Sequence, residues 1–176
     1  TGMREGEICG LKWEDIDWKN SICVVRRTAQ RVNKQLIFKE PKTESSGRIV
    51  VLPSRIIKLL QEEKKHQAEN RLLMGSAYDN TYDGYISVWP DGHFKEPDYV
   101  SKRFHKDLKR HHELPMIRFH DLRHTNASLM LASGANMKVI SDHLGHSQIG
   151  ITMDLYSHVS TELQQEAIKK LEEYLQ

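Results

Sequence analysis

The stretch FHDLRHT at residues 119–125 decides how the second half of the chain is interpreted. Apolar residues continue from it at helical spacing, which predicts a helix over residues 119–133 that Gly134 ends. His120 and Arg123 stand three positions apart and therefore share one face of that helix. An arginine on a helix is usually an exposed surface charge, so this pair becomes informative only beside other reactive side chains.

Two such side chains follow downstream. Leu-Gly-His places His146 directly after a helix predicted over residues 137–144, which Asn136 caps and Gly145 ends. Ten residues further on, Tyr156 lies on another short helical segment. A tyrosine among apolar neighbours usually packs in a core, so neither residue is decisive alone.

The first half of the chain adds three candidates. Arg4 and Glu7 are three positions apart at the start of a helical pattern, so the carboxylate can hold the guanidinium in place. An exposed pair of this kind contributes under about 1 kcal/mol and is common on surfaces. Lys42 lies in a turn between two β-like runs, where most lysines are simply solvated.

The predicted fold class is α+β, mainly α-helical with a small three-stranded antiparallel sheet. Helices are predicted over residues 3–11, 56–70, 98–112 (capped by Asp98), 119–133 (with Leu122, Ala127, Leu129, Met130 and Leu131 facing the core), 137–144, 149–159 and 161–176. Strands are predicted over residues 21–31, 35–39 and 48–52, and a loop with one short strand at 85–89 over residues 75–97. An apolar stripe on the last helix comprises Leu163, Ala167, Leu171 and Leu175.

Length and composition narrow the class of protein. A chain of 176 residues suits one domain, and Cys9 and Cys23 form neither a disulfide framework nor a metal-type spacing. No apolar stretch approaches the roughly 18 residues that a membrane span needs. These features predict a protein of a reducing cytoplasm without a membrane partner.

Net charge is +2, but the charges are unevenly distributed. Basic residues and histidines crowd residues 102–124, whereas acidic residues concentrate in residues 14–17 and in the last helix. A basic surface beside an acidic remainder favours a polyphosphate partner, although a solvated charged helix gives the same pattern.

Taken together, these motifs resemble the tyrosine recombinase (phage-type integrase) family. TGMREGE at residues 1–7 and LKWEDID at 11–17 resemble its first conserved box. FHDLRHT, LGH at 144–146, Thr152 and YSH at 156–158 resemble its second box. The segment from PKT at 41–43 to Arg48 resembles the hairpin that carries the family's lysine. The resemblance covers essentially the whole chain and implies the catalytic-domain fold of that family.

The resemblance also implies a site and a reaction. Arg4 and Arg123 would clamp the scissile phosphate, with His146 as a third donor. Tyr156 would attack phosphorus and leave a 3′-phosphotyrosine, His120 would take or share its proton, and Lys42 would protonate the departing 5′ oxygen. Glu7 would support Arg4. No metal and no cofactor is expected. His124 is interpreted as structural, and the role of His158 is left open.

The expected partner is double-stranded DNA, on which the family assembles as a homo-tetramer, with accessory DNA-bending or excision proteins as further candidates. The last helix would dock on a neighbouring protomer or pack on its own domain, and the sequence leaves both open. Residues 1–176 are interpreted as a catalytic domain that lacks its start and the family's upstream DNA-binding domains. The host would be bacterial, and the active enzyme nucleoid-associated.

Three other functions remain in view. A type IB topoisomerase uses the same chemistry to relax DNA. A metal-dependent hydrolase could use the pairs His120/His124 and His143/His146, but the His-Glu-x-x-His pattern and a cysteine ligand are both missing. A DNA-binding relative without activity is disfavoured because all six catalytic positions carry reactive side chains.

Overall fold

The computed structural model of the chain describes residues 1–40, 47–145, 168–169 and 171–173. The chain divides into two compact units, Thr1–His124 and Thr125–Gln176. Among residues 1–40 and 47–145, the α-helices are α1 (Glu5–Cys9), α2 (Ser54–Met74), α3 (Pro97–Leu108), α4 (Asp121–Ala132) and α5 (Met137–Leu144), and short 3-10 helices cover Trp13–Asp15 and Gly75–Ala77. The strands are β1 (Ile16–Asp17), β2 (Ile22–Val25), β3 (Thr28–Val32), β4 (Gln35–Lys39) and β5 (Arg48–Val51).

These strands form two antiparallel sheets rather than one. A three-stranded sheet has the order β1-β2-β5, and β3 pairs with β4 in a separate hairpin. The run predicted as one strand over residues 21–31 is therefore wrong as a single element. It breaks where Arg27 turns inward and donates to the buried Asp15 carboxylate at 2.7 Å. Asn33 and Lys34 both have positive φ, the conformation of a two-residue hairpin turn with right-handed twist.

The core of the first unit lies between the three-stranded sheet and the helices beside it. Its buried side chains are Met3, Leu11, Ile16, Cys23, Val25, Val50, Leu52 and Ile57. A second cluster, around Cys9, Ala29 and Phe94, packs α1 against β3. Gly6 makes this close packing possible, because an added Cβ would meet Thr28 Cγ2 at 2.8 Å and the carbonyl oxygen of Ala29 closer still.

Several predicted boundaries differ from the structure. Helix α1 is shorter than residues 3–11, and α2 extends four residues beyond the predicted end at residue 70. Helix α3 begins with Pro97 at its first position and has Glu96 as its N-cap, so the prediction of Asp98 as the cap is wrong. Residues 85–89 contribute two isolated bridges instead of the predicted strand.

The second unit has its own small core between the end of α4 and α5. Its buried residues are Ala127, Leu131, Ile140 and Leu144. Asn136 caps α5 by accepting from Lys138 N at 2.8 Å, and Gly145 ends α5 in the left-handed conformation, which confirms both predictions.

Two leucines of α4 correct the predicted core face. Leu122 and Leu129 are exposed, because the buried stripe of α4 follows Arg123, Ala127 and Leu131 at a spacing of four residues. Residues 168–169 and 171–173 are helical. The predicted helix over 149–159 and the stripe residues Leu163, Ala167 and Leu175 lie outside the described residues. Across the described part of the chain, no helix has both the length and the apolar character to cross a membrane.

Candidate active site

The first component of the candidate site is the start of α1. Arg4 is the N-cap residue, and its backbone N–H donates to Glu7 Oε2 at 2.7 Å. The Arg4 side chain returns to the same carboxylate, with Nη1 at 2.8 Å from Oε1. The side chain of Glu7 is 5% exposed and that of Arg4 is 43% exposed. Glu7 therefore holds one nitrogen of the Arg4 guanidinium, and the Arg4 side chain stays partly exposed.

A second arginine holds the same carboxylate. Arg48, the first residue of β5, donates through Nη1 to Glu7 Oε1 at 2.7 Å and through Nη2 to Oε2 at 2.6 Å. Burial alone raises the pKa of Glu7, but the hydrogen bonds and charge of Arg48, together with the hydrogen bonds from Arg4, more than offset it and leave the pKa below its usual value. Glu7 is therefore ionised at neutral pH.

Sequence reasoning did not select Arg48, because Ile49, Val50 and Val51 are all apolar and do not show which face of the strand is buried. Along β5 the exposure alternates, and Arg48 lies on the same face as the fully buried Val50. An arginine on the buried face of a strand needs an acidic partner. Glu7 is that partner.

Arg123, in the motif at residues 119–125, forms a hydrogen bond with the motif at residues 1–7. The Arg123 side chain is almost fully buried in α4, and its Nη1 donates to the carbonyl oxygen of Gly2 at 2.6 Å. Gly2 lies two residues before Arg4 and adopts a positive φ of 62°. The structure thus brings together two arginines that are 119 positions apart in the sequence (123 minus 4).

His120 lies in the turn that precedes α4. The neighbouring Phe119 packs edge-on against Phe104 of α3 with ring centroids 5.5 Å apart, and His120 packs edge-on against His124 at 5.2 Å. Burial, followed by the positive charges around it, lowers the pKa of His120; those charges belong to His124, Arg123, Arg118 and Arg4. His120 is therefore a neutral imidazole at neutral pH and lies within the electric field of both Arg4 and Arg123.

A groove of about 500 Å³ opens beside His120. Its lining combines apolar side chains with cationic and imidazole groups, namely Phe104, Ile117 and Phe119 with Lys102, His105 and Arg118. The acidic lining residue, Glu5, already accepts from the backbone N–H of Ser101 at 3.0 Å. Arg118 Nη2 donates to Asp121 Oδ1 at 2.8 Å, and the hydrogen bonds from Arg118 lower the pKa of the Asp121 carboxyl to about 2. Asp121 therefore offsets the charge of Arg118, and the other nitrogen groups that line the groove are those of Lys102, His105 and His120.

The structure thus collects four of the predicted site residues, Arg4, Glu7, His120 and Arg123, in one region of the first unit. Lys42, His146 and Tyr156 lie outside the described residues, as do Thr152 and His158, so their positions stay predictions. Within residues 1–40 and 47–145, no three His, Cys, Asp or Glu side chains are close enough to hold a metal ion.

The sequence that builds this geometry matches a known protein family over most of its length. The model of the phage integrase family matches residues 1–162 of the 176. The chain belongs to the phage integrase family. The motif segments of the sequence and the contacts Glu7–Arg48 and Gly2–Arg123 lie within the matched region.

Individual relatives agree with this assignment. The chain is 35% identical to a tyrosine recombinase XerC-like protein of Caldanaerobacter subterraneus over 97% of the chain and 46% of that protein. It is 31% identical to the ICEBs1 integrase of Bacillus subtilis over 99% and 46%. The chain therefore spans about half the length of these curated relatives. The fold matches the Tn1549 transposon integrase in complex with transposon right end DNA, with a TM-score of 0.81, 24% identity and coverage of 97% and 55%.

Proposed function

We propose that this chain is the catalytic part of a site-specific recombinase that integrates or excises a mobile element by cutting and rejoining DNA through Tyr156. The observation that supports this proposal is that Arg4, Arg123 and His120 lie close together in one region of the first unit. The names of the relatives, a recombinase and integrases, support the same reaction class. That DNA-binding domains precede this chain in the whole protein stays a prediction.

The two arginines are suited to hold a phosphodiester. A phosphorus under attack gathers negative charge on its non-bridging oxygens, and fixed donors stabilise that charge without reorganising. Arg4 and Arg123 are both fixed, the first by Glu7 and the second by the Gly2 carbonyl. Guanidinium forks remain charged and can bind two oxygens at once. His146 would add a third donor.

The covalent step exchanges one phosphoester for another. The Tyr156 oxygen would attack phosphorus while the bond to the 5′ oxygen breaks, which leaves a 3′-phosphotyrosine and a free 5′-hydroxyl. The neutral imidazole of His120 can accept the phenol proton, which a group with a pKa near 10 does not release unaided. Lys42 would protonate the departing oxygen. Reversal of the same step rejoins a strand, so the bond energy is conserved and no nucleotide triphosphate is consumed.

The groove beside His120 is the proposed path of the neighbouring phosphates. Lys102, His105 and Arg118 line it, and each can face an anionic backbone. Replacing Lys102 with Gln should reduce the slope of log affinity for DNA against log salt by about 0.9, the value for one lost phosphate contact. Lys65→Gln on the exposed face of α2, where Lys65 pairs with Glu69 at 3.7 Å, is the matched control. Equal slopes for the two variants would remove Lys102 from the DNA path.

We further propose assembly of several copies on DNA, as in the family, in the bacterial cytoplasm. Leu171 of the apolar stripe on the last helix is 53% exposed, which fits a face that is covered by another copy. Deleting residues 161–176 should reduce recombination between two sites while cleavage of one site persists. Equal recombination by the deleted and intact proteins would contradict docking by this helix.

The decisive experiment uses a suicide DNA substrate with a nick near the cleavage point. The intact protein should form a covalent adduct through a 3′ phosphate, with a free 5′-hydroxyl, in the presence of a chelator. The adduct should disappear in Tyr156→Phe. No adduct in the wild type, or an adduct that survives Tyr156→Phe, would reject the proposed chemistry. Relaxation of supercoiled DNA without exchange between two sites would instead identify a topoisomerase.

A further inference from the structure

The carboxylate of Glu7 is shared between two guanidiniums of unequal exposure. Arg48 occupies both oxygens, at 2.7 and 2.6 Å, whereas Arg4 reaches one of them through a single side-chain nitrogen at 2.8 Å. The side chain of Arg48 is 14% exposed and that of Arg4 is 43% exposed. Arg48 is therefore the inner partner, and Arg4 is the outer one that can meet a substrate.

We propose that Arg48 is a positioning residue for the DNA cleavage reaction, which acts by saturating Glu7 so that Arg4 keeps part of its guanidinium for the phosphate. This inference rests on the proposed function of the chain. Arg48 needs no contact with DNA to act in this way, because its effect passes through Glu7 to Arg4.

The chemistry of the carboxylate explains why a second arginine is needed. An ionised carboxylate accepts hydrogen bonds at both oxygens, and an arginine left alone with it tends to bind both in a parallel fork. If Arg48 were absent, Arg4 would be drawn into that fork and would turn away from the substrate. With Arg48 in place, the side chain of Arg4 has access to Oε1 alone, and its backbone N–H takes up Oε2.

The location of Arg48 adds a connection to the rest of the site. Arg48 begins β5, six positions after Lys42 in the sequence, and β5 is held along its length by pairing with β2 from Val25↔Arg48 to Ile22↔Val51. The contact with Glu7 therefore anchors the start of β5 to α1, across 41 positions of sequence. One ion pair fixes both the arginine at the start of α1 and the strand that follows the lysine.

The test compares Arg48→Gln and Arg48→Lys with the wild type in single-turnover cleavage of the nicked suicide substrate at saturating protein. Arg48→Gln should lower the rate about 100-fold, the effect of a misplacement near 1 Å at a reacting centre, while the Kd for DNA stays unchanged. Arg48→Lys keeps the charge but loses the fork, so its rate should be intermediate. Arg31→Gln, on β3 and paired with Glu96 at 2.7 Å on the surface, is the matched control and should cleave like the wild type.

A double-mutant cycle separates positioning from a general structural role. If Arg48 acts through Arg4, then Arg48→Gln should cause little further loss of rate in an Arg4→Lys background. A loss that multiplies with that of Arg4→Lys, or an unchanged rate in Arg48→Gln, overturns the inference. If Arg48→Gln does not fold, the same cycle with Arg48→Lys decides the question. A wild type that forms no adduct rejects the proposed function, a result distinct from these.

Discussion

Gly6 is the position where a single methyl group tests how the site is supported. It lies in α1, two residues after Arg4, and an added Cβ would meet the Ala29 carbonyl oxygen and Thr28 Cγ2, both of β3. Strand β3 pairs with β4 over five residue pairs, so its backbone cannot move away without losing ladder hydrogen bonds. Gly6→Ala should therefore push α1, and Arg4 with it, away from β3.

The expected cost follows from two opposing effects. Alanine favours a helix over glycine by about 1 kcal/mol. Overpacking typically costs about 1–3 kcal/mol, and a backbone neighbour places this site near the upper end, about 3 kcal/mol. The free energy of unfolding should fall by about 2 kcal/mol, and the cleavage rate should fall about 100-fold because Arg4 is displaced.

Denaturant titration and single-turnover cleavage of the suicide substrate measure the two effects. Gly84→Ala is the matched control, because no atom lies within 4 Å of the added methyl group. The control should lose about 1 kcal/mol from its positive φ and retain full cleavage. A Gly6→Ala protein that is as stable as the wild type and cleaves equally fast would refute the packing argument.

Three further predictions concern other parts of the molecule. Ile140 is fully buried in the second unit, so Ile140→Ala should lower the free energy of unfolding by about 2–5 kcal/mol in a denaturant titration, and an unchanged midpoint would contradict this packing. Burial raises the pKa of Cys9 to about 11 and that of Cys23 to about 12. Neither thiol should therefore react with iodoacetamide in the native protein at pH 8. Rapid alkylation of the native protein would contradict this burial. In an NMR pH series, His120 should titrate below its ordinary pKa of 6.5. Because the unfolded state then binds the proton more readily than the folded state, protonation of His120 should lower the free energy of unfolding as the pH falls below 6.5. A titration midpoint at or above 6.5 would contradict this prediction.

Local patterns predicted those parts of the fold that depend on neighbours in sequence. The cap at Asn136 and the left-handed end at Gly145 follow from side chains within a few residues, and both are present. The division into two sheets could not be predicted in this way, because β2 pairs with β5 across the intervening hairpin. A strand as short as β1 carries too little periodicity to be recognised.

The same distinction applies to the candidate site. The pairs Arg4/Glu7 and His120/Arg123 were visible as spacings of three residues. The contact of Arg48 with Glu7 and the donation from Arg123 to Gly2 depend on the tertiary fold, so the sequence offered only hints of them. Lys42, His146 and Tyr156 stay predictions based on the motif.

The hydrogen bond between Arg123 and Gly2 has a consequence for the order of events during protein synthesis. Its two partners are 121 positions apart, so Gly2 has left the ribosome exit tunnel long before Arg123 is added to the chain. A contact of such long range forms late, because closing the large loop between its partners costs conformational entropy. An incomplete or partly folded polypeptide therefore lacks the hydrogen bond that holds Arg123 beside the segment of Arg4, and the candidate site assembles only after most of the chain has been made.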